Sequence, residues 1–431
     1  MDSLNSRRAA LNLICKVTDQ KIMINSINAD SSSELLNCDE LEKRAAMRLT
    51  LDYLRNFGPS STLIKLYVKK TPPKGVLNIL QLGVVELCVN KRAAYGVVND
   101  AVNLTHELNG GSAFSGLVNA VLRKVAKDGS ERWSKLRPSS LPAWIARPIK
   151  KQHGKTIQKA IEKAHSVIPP IDLTLKKSGP SLLPEGKLMP NGSLRVRGGA
   201  VSSYTGYNEG NWWVQDAAAS MPVQLLGDIS NKKILDICAA PGGKTMQLAD
   251  GGACVTALDV SESKMNRVRQ NLKRVGLKAD LIVSDALKWH SKKKFDVVLL
   301  DAPCSATGTI RRHPDLPFVK TEKNLADLIN IQKRLLDCAV NHLKPGGELI
   351  YCTCSLLFSE GEDQIEEFLL NNPNMFASKI NLESFGLPKE WESLHSSLRI
   401  RPDYWKEFGA IDGFFVSKLI KNNSVKIKIN N

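Results

Sequence analysis

The sequence predicts an all-α bundle, then a small α+β module, then an α/β doubly wound domain whose sheet ends in a late antiparallel edge strand. Three observations predict it. Apolar residues recur at helical spacing through roughly the first 130 positions, composition then shifts towards Pro, Gly, Ser and Lys, and beyond Trp213 short apolar runs end in Asp or Cys. The divisions read as 1–130, 131–212 and 213–421, with an Asn- and Lys-rich tail over 422–431 expected to be disordered.

Composition narrows the class. At 431 residues, 42% hydrophobic and 24% charged, the chain has room for two or three globular cores. Lys and Arg number 60 against 43 Asp and Glu, and the net charge of +17 favours an anionic partner such as nucleic acid over an acidic small substrate. The plainer reading, solvated lysines from a compositional bias, stands beside it. Nine cysteines without a Cys-x-x-Cys pair or a His-x-x-x-His pair suit neither a disulfide framework nor a zinc knuckle, so a reducing compartment and no metal are expected. The first residues run into an amphipathic segment, and no apolar run approaches the roughly eighteen residues of a membrane span. A cytosolic protein with no membrane partner is expected.

In the first region Leu4, Leu11, Ile14 and Val17 recur at helical spacing, as do Leu41, Ala45, Leu49 and Leu54. Gly75 to Val89 is apolar nearly all round and predicts the buried central helix. Tyr95 to Leu108 and Phe114 to Val125 complete the bundle, and Cys15, Cys38 and Cys88 read as core thiols. The helix order, ending in Phe114-Ser115-Gly116-Leu117-Val118-Asn119-Ala120-Val121-Leu122-Arg123-Lys124-Val125, resembles the RNA-binding domain typified by the antitermination factor NusB. That likeness implies RNA contacts at Arg123 and Lys124.

In the middle region Leu141-Pro142 opens a helix to about Ala164 with Lys150, Lys151, Lys155, Lys159 and Lys163 on it. Ile171–Lys176 alternates as a strand, Leu194–Arg197 reads as another, and Trp212–Asp216 leads into a helix from Ala217. Tyr204, Tyr207, Trp212 and Trp213 fit two roles equally, stacking on single-stranded RNA or forming a seam between domains.

The third region carries the chemistry. Ile234–Ile237 predicts a buried strand, and Cys238-Ala239-Ala240-Pro241-Gly242-Gly243-Lys244-Thr245 the tight turn into a helix. Its spacing is neither that of a phosphate-binding loop nor Gly-x-Gly-x-x-Gly, so a ligand without a pyrophosphate is expected. Asp259, Asp285 and Asp301 each close a strand-like run, placed for a ribose hydroxyl pair, an adenine amino group and the reacting centre. A strand-end Asp alone is more often a cap. Three in succession behind a glycine turn suggest S-adenosylmethionine. Two thiols arrive the same way, Cys304 after Phe295–Asp301 and Cys354 after Glu348–Thr353, and no histidine stands near them in a metal-ligand pattern. The competing reading is two buried packing cysteines.

With those motifs, and Arg311-Arg312-His313-Pro314-Asp315 beyond them, the chain resembles the RNA cytosine-C5 methyltransferases, and in particular the bacterial Sun/Fmu type that acts on 16S rRNA. The resemblance implies a Rossmann-like methyltransferase domain, Cys354 as the nucleophile, Cys304 in release of the adduct and Asp301 beside the base. It further implies S-adenosylmethionine held by Cys238 to Lys244 together with Asp259, Asp285 and Asp301, phosphate contacts at Arg311, Arg312 and His313, and a monomer meeting 16S rRNA before or during small-subunit assembly. A thiolate near a sulfonium and basic side chains is expected to have a lowered pKa. One departure is Leu173-Thr174-Leu175-Lys176, where the family's strand usually reads Leu-Arg-Val or Leu-Arg-Ile then Asn, leaving Lys176 as a substitute charge. The same reaction on transfer RNA, and a non-catalytic RNA-binding assembly factor, are the alternatives.

Overall fold

The computed structural model describes residues 3–29, 35, 38–177, 179 and 182–423. Most of the expected tail therefore lies outside the described residues. The chain divides into two compact units, one of residues 1–146, 158–168 and 310–321, the other of 147–157, 169–309 and 322–431.

The first unit is helical. It comprises α1 (Leu4–Thr18), α2 (Ile24–Ala29), α3 (Glu40–Arg55), α4 (Phe57–Lys65), α5 (Lys74–Cys88), α6 (Ala94–His106), α7 (Ser115–Lys124), α8 (Ser130–Ser134) and parts of α9 (Ala143–His165), whose helical geometry breaks at Gly154. Asp39 and Glu42 start α3 with a reciprocal capping box. As the even apolarity of its sequence predicts, α5 is the central helix, burying residues on every side. Its polar members are all matched. The Arg7 guanidinium donates to Glu86 at 3.0 and 2.7 Å and to Asp100 at 2.8 Å, and the Tyr53 hydroxyl lies 2.7 Å from Gln81 Oε1.

Residues 310–321 also belong to this unit. Phe318 and Val319 pack on the core that α1 and α3 share, Asp315 accepts the Ile24 amide at 2.9 Å, and Arg55 Nη2 donates to the Arg311 carbonyl at 2.9 Å.

The second unit holds two sheets. In the smaller, of order β2-β3-β1-β4, β1 (Ile171–Leu175) and β3 (Leu194–Val196) pair antiparallel between β2 (Lys187–Leu188) and β4 (Trp212–Val214). Arg195 clamps Asp172 with two hydrogen bonds of 2.6 and 2.7 Å, and its Nη1 reaches the carbonyls of Phe408 and Ala410. The sequence left the tryptophans two roles, and burial decides between them. Trp212 is 0% exposed and Trp213 1%, the latter among Met246, Met265 and Val268, so both are core and neither is a platform for RNA. Lys176 donates to the Val275 carbonyl at 2.8 Å, which makes it a tie within the unit.

After α10 (Ala217–Gln224) comes the main sheet, order β10-β12-β9-β8-β5-β6-β7, with β11 also on β12. Its parallel part is β5 (Lys233–Ile237), β6 (Cys254–Asp259), β7 (Asp280–Val283), β8 (Phe295–Asp301) and β9 (Leu343–Thr353). Helices α11 (Gly243–Asp250), α12 (Glu262–Val275), α14 (Glu322–His342) and α15 (Glu362–Asn371) accompany it, while the single turn α13 (Leu316–Val319) lies in the helical unit. The late strand β12 (Phe414–Lys421) pairs antiparallel with β9, as expected, and carries β10 (Met375–Ala377) and β11 (Leu398–Ile400) on its outer side. The order reverses between β5 and β8, and in such sheets that switch point is where ligands bind.

Removing one member of a buried ion pair leaves an uncompensated charge. Arg7→Met is expected to destabilise the helical unit by about 3 kcal/mol, roughly a hundredfold faster hydrogen exchange of the α5 amides in the full chain. Adding Glu86→Leu should restore most of that protection. Unchanged exchange in the single variant would refute the account.

Candidate active site

The site is built at the carboxyl ends of β5, β8 and β9, beside the switch point. Leaving β5, the chain turns through Cys238 at φ +62° and Gly242 at φ +100°, where a side chain would be strained and would meet Val268 at 3.0 Å. No side chain caps α11, so its first turn presents backbone N–H groups. Asp259 straps this turn to β6, accepting Ala240 N at 3.1 Å and Ser261 N at 2.9 Å. Asp285 accepts Leu287 N at 3.0 Å. Both carboxylates close local turns and remain half-buried. Beyond Asp259, Val260 is 71% exposed, an apolar surface in a place that calls for a cover.

Lys244 and Asp301 form the central ion pair, Nζ to Oδ2 at 2.7 Å. Burial works against the ammonium, but the Asp301 carboxylate more than offsets it and the Lys244 pKa is raised. The Cys352 thiol, 3.5 Å from Asp301 Oδ1, is pushed well up by burial and by that carboxylate.

The thiols of Cys304 and Cys354 meet, Sγ to Sγ at 3.4 Å. Each is half-buried and carried on a different parallel strand. The hydrogen bond that the Cys304 thiol makes to Cys354, burial and the Cys354 and Glu360 charges hold the Cys304 pKa well above the usual thiol value, so Cys304 is a neutral thiol at pH 7. Among the described residues no basic side chain is hydrogen-bonded to Cys304, and Lys244 is committed to Asp301. Close approach of the loops depends on Gly308, where a Cβ would strike the Gly413 carbonyl at 2.1 Å.

Sequence reasoning missed the polar layer beneath the thiols, formed by Ser305, Thr307, Ser355, Glu360, Gln332 and the Arg399–Glu362 pair. One signal was present: each cysteine is followed by serine, Cys304-Ser305 and Cys354-Ser355, which suggests a shared partner.

The residues expected at RNA fall in the helical unit. Arg123 and Lys124 are exposed at the end of α7, with Arg123 steadied by Asn119 at 3.0 Å. Arg312 and His313 are half-buried. Arg311 is 1% exposed, so in this conformation its side chain is packing rather than a phosphate contact.

Comparison with known proteins gives two family matches, 16S rRNA methyltransferase RsmB/F over residues 223–420 and the NusB family over residues 4–127. Proteins named ribosomal RNA small subunit methyltransferase B are similar along the chain. That of Citrobacter koseri is 36% identical, covering 71% of this chain and 73% of its own. That of Escherichia coli O6:H1 is 30% identical, covering 97% and 99%. Among solved structures, one described as PH0851 matches with a TM-score of 0.70 at 22% identity, covering 98% of this chain and 99% of its own, which shows the fold. A methyltransferase homologue from Pyrococcus horikoshii matches with a TM-score of 0.53 at 25% identity, over 64% of this chain and 93% of its own.

One carboxylate of the site titrates in an accessible range. Asp236 is fully buried, its Oδ2 accepts the Thr245 hydroxyl at 2.6 Å, and its Oδ1 has no protein partner. Burial, helped by Asp301 and Asp259, pushes its carboxyl up to about 7 although Thr245 and Lys244 oppose this. A folded-state pKa above the unfolded value stabilises at low pH, and that contribution is lost as pH rises to about 7. Asp236→Asn is therefore expected to gain stability relative to the parent between pH 4 and 7, by about 3 to 4 kcal/mol at most. Urea unfolding of both proteins across that range checks it, and a pH-independent difference would refute it.

Proposed function

The chain belongs to the 16S rRNA methyltransferase RsmB/F family, and on that premise we propose that it methylates carbon 5 of one cytosine in 16S rRNA through a cysteine–cytosine adduct. The observation that carries this reading is the 3.4 Å approach of Cys304 and Cys354 where the chain leaves β8 and β9. Two packing cysteines would not need to meet there, half-buried, just beyond the strand end that bears Asp301.

S-adenosylmethionine, when bound, supplies an electrophilic methyl group. The residues present fit it. Cys238 to Lys244 form a turn that admits a close backbone approach, Asp259 and Asp285 offer carboxylates along the strand ends, the uncovered Val260 suits the face of an adenine, and Asp236 Oδ1 is an unsatisfied acceptor behind the turn. A carboxylate lining, with no basic cradle in the turn besides the committed Lys244, suits a ligand without phosphates.

Carbon 5 of cytosine is a weak nucleophile. Thiolate attack by Cys354 on carbon 6 forms a C–S bond and moves electron density to carbon 5, while the base takes a proton at N3. Asp301, held by Lys244, accepts a hydrogen bond from that N3–H and stabilises the adduct. Once carbon 5 has gained its methyl group it loses its own proton to water, the C–S bond breaks, the Cys354 thiolate leaves, and N3 returns to solvent the proton it took from it. Cys304, a neutral thiol within reach of Cys354, assists this release. RNA contacts are proposed at Arg123 and Lys124 and at Arg312 and His313 of the helical unit, with Arg311 fixing the loop of the last two. The setting proposed is the cytoplasm, as a monomer, on rRNA before or during subunit assembly. Among the described residues no helix is long and apolar enough to cross a membrane.

The test is methyl transfer from tritiated S-adenosylmethionine to protein-free 16S rRNA, with transfer RNA in parallel. Label at carbon 5 of one rRNA cytosine is expected, abolished in Cys354→Ala, whereas Cys304→Ala should accumulate a denaturation-resistant protein–RNA adduct. Label confined to transfer RNA would overturn the substrate, and RNA binding with no label would leave an assembly factor.

A further inference from the structure

We propose that Glu360 is the positioning residue that sets the spacing of the two thiols, by gripping the residue that follows each of them. The proposal rests on the cysteine-adduct reading above and assigns a task to a side chain that touches neither thiol.

Cys304 and Cys354 leave neighbouring parallel strands, Asp301 standing in register with Cys352, and nothing in a parallel ladder fixes how two such ends run on. The Glu360 carboxylate lies between them, fully buried. From the Cys304 side it accepts Ser305 N at 2.8 Å and Ser305 Oγ at 2.5 Å, and from the Cys354 side Ser355 Oγ at 2.6 Å. Gln332 of α14 donates to Glu360 at 3.0 Å and to the Pro303 carbonyl at 2.9 Å, which fixes the chain just before Cys304 as well. Four donors use the acceptor capacity of a carboxylate, so the group is held from every direction.

Glu360 is itself anchored to the strand that bears Cys354. Its carbonyl accepts the Tyr351 hydroxyl at 2.9 Å and the Thr353 hydroxyl at 3.2 Å. On the far side Arg399 pairs with Glu362 and donates to the Ser355 carbonyl at 2.5 Å. The serine hydroxyls also lie 3.3 Å apart, each on the residue that follows a thiol. A carboxylate placed here has a second effect, since its charge is one of the influences that keep Cys304 protonated. Glu360 thus contributes to both the positioning of the thiols and the protonation of Cys304, which gives the proposal readouts that mere stability would not move.

The test uses the full chain and needs no RNA for its first arm. Phenylarsine oxide closes a ring on two adjacent thiols, forming two As–S bonds and releasing water. Its binding is taken as the difference between the parent and Cys304→Ala. In Glu360→Gln, an isosteric change, this difference should weaken about tenfold, and single-turnover methyl transfer should fall about a hundredfold, as when a reacting group is displaced by an ångström, with KM for rRNA unchanged. In a Cys354→Ala background, Glu360→Gln should also move alkylation of Cys304 to lower pH. Should Glu360→Gln fail to fold, Ser305→Ala and Ser355→Ala each remove one grip and should show smaller losses in the same direction.

Parental arsenical binding and parental turnover in these variants would overturn the proposal. So would a raised KM with unchanged arsenical binding, which would make Glu360 part of the RNA surface. A parent that binds the arsenical but never labels carbon 5 would instead refute the functional reading, with the thiol geometry left standing.

Discussion

The site depends on the ion pair between Lys244 and Asp301. A lysine in the first turn of a helix opposes the helix dipole, and a buried ammonium costs several kcal/mol in lost hydration, so Lys244 is tolerable there only with a carboxylate against it. Asp301 supplies it at 2.7 Å from the end of β8, while its other oxygen faces Cys352 on β9. The cation also sits 5.0 Å over the Phe414 ring of β12. One pair therefore joins the turn after β5 to three further strands. It fixes Asp301 at the topological switch point, where a base and a methyl donor would have to meet.

That commitment explains the state of the thiols. A cation free to lie beside a cysteine would lower its pKa, but Lys244 is spent on Asp301 and the carboxylate charge that acts on Cys304 is that of Glu360, which raises it. The protein alone thus keeps Cys304 protonated and hydrogen-bonded to its neighbour, a resting state that resists adventitious alkylation and oxidation. A thiol held neutral is the poorer nucleophile, which suits the assisting part proposed for Cys304.

Much of this was legible in the sequence wherever the signal is local. An apolar run followed at once by Asp or Pro marks a buried strand and its end, so β5, β6, β8 and β9 and the residues hanging from them could be placed from spacing alone. The even apolarity of α5 likewise announced a central helix. Local signals do not distinguish a buried aromatic from an exposed one. Trp212 and Trp213 had an RNA-stacking reading until their burial was seen, since a strand's two faces look alike in sequence when both are covered.

What stayed hidden was set by partners far along the chain. Glu360 follows Cys354 by six positions and resembles any acidic helix start, and its meaning comes from Ser305, 55 residues away, and Gln332, 28 residues away. Arg311 looked like a phosphate contact because it precedes Arg312 and His313, yet it belongs to a segment whose carbonyl is fixed by Arg55, 256 residues earlier. Burying an Arg or a Glu is favourable only where distant donors and acceptors are already in place, so a sequence window reads such residues as surface. The residues proposed for the chemistry sit at strand ends and announce themselves. Those that hold them in place are buried charges, and only the fold gives them partners.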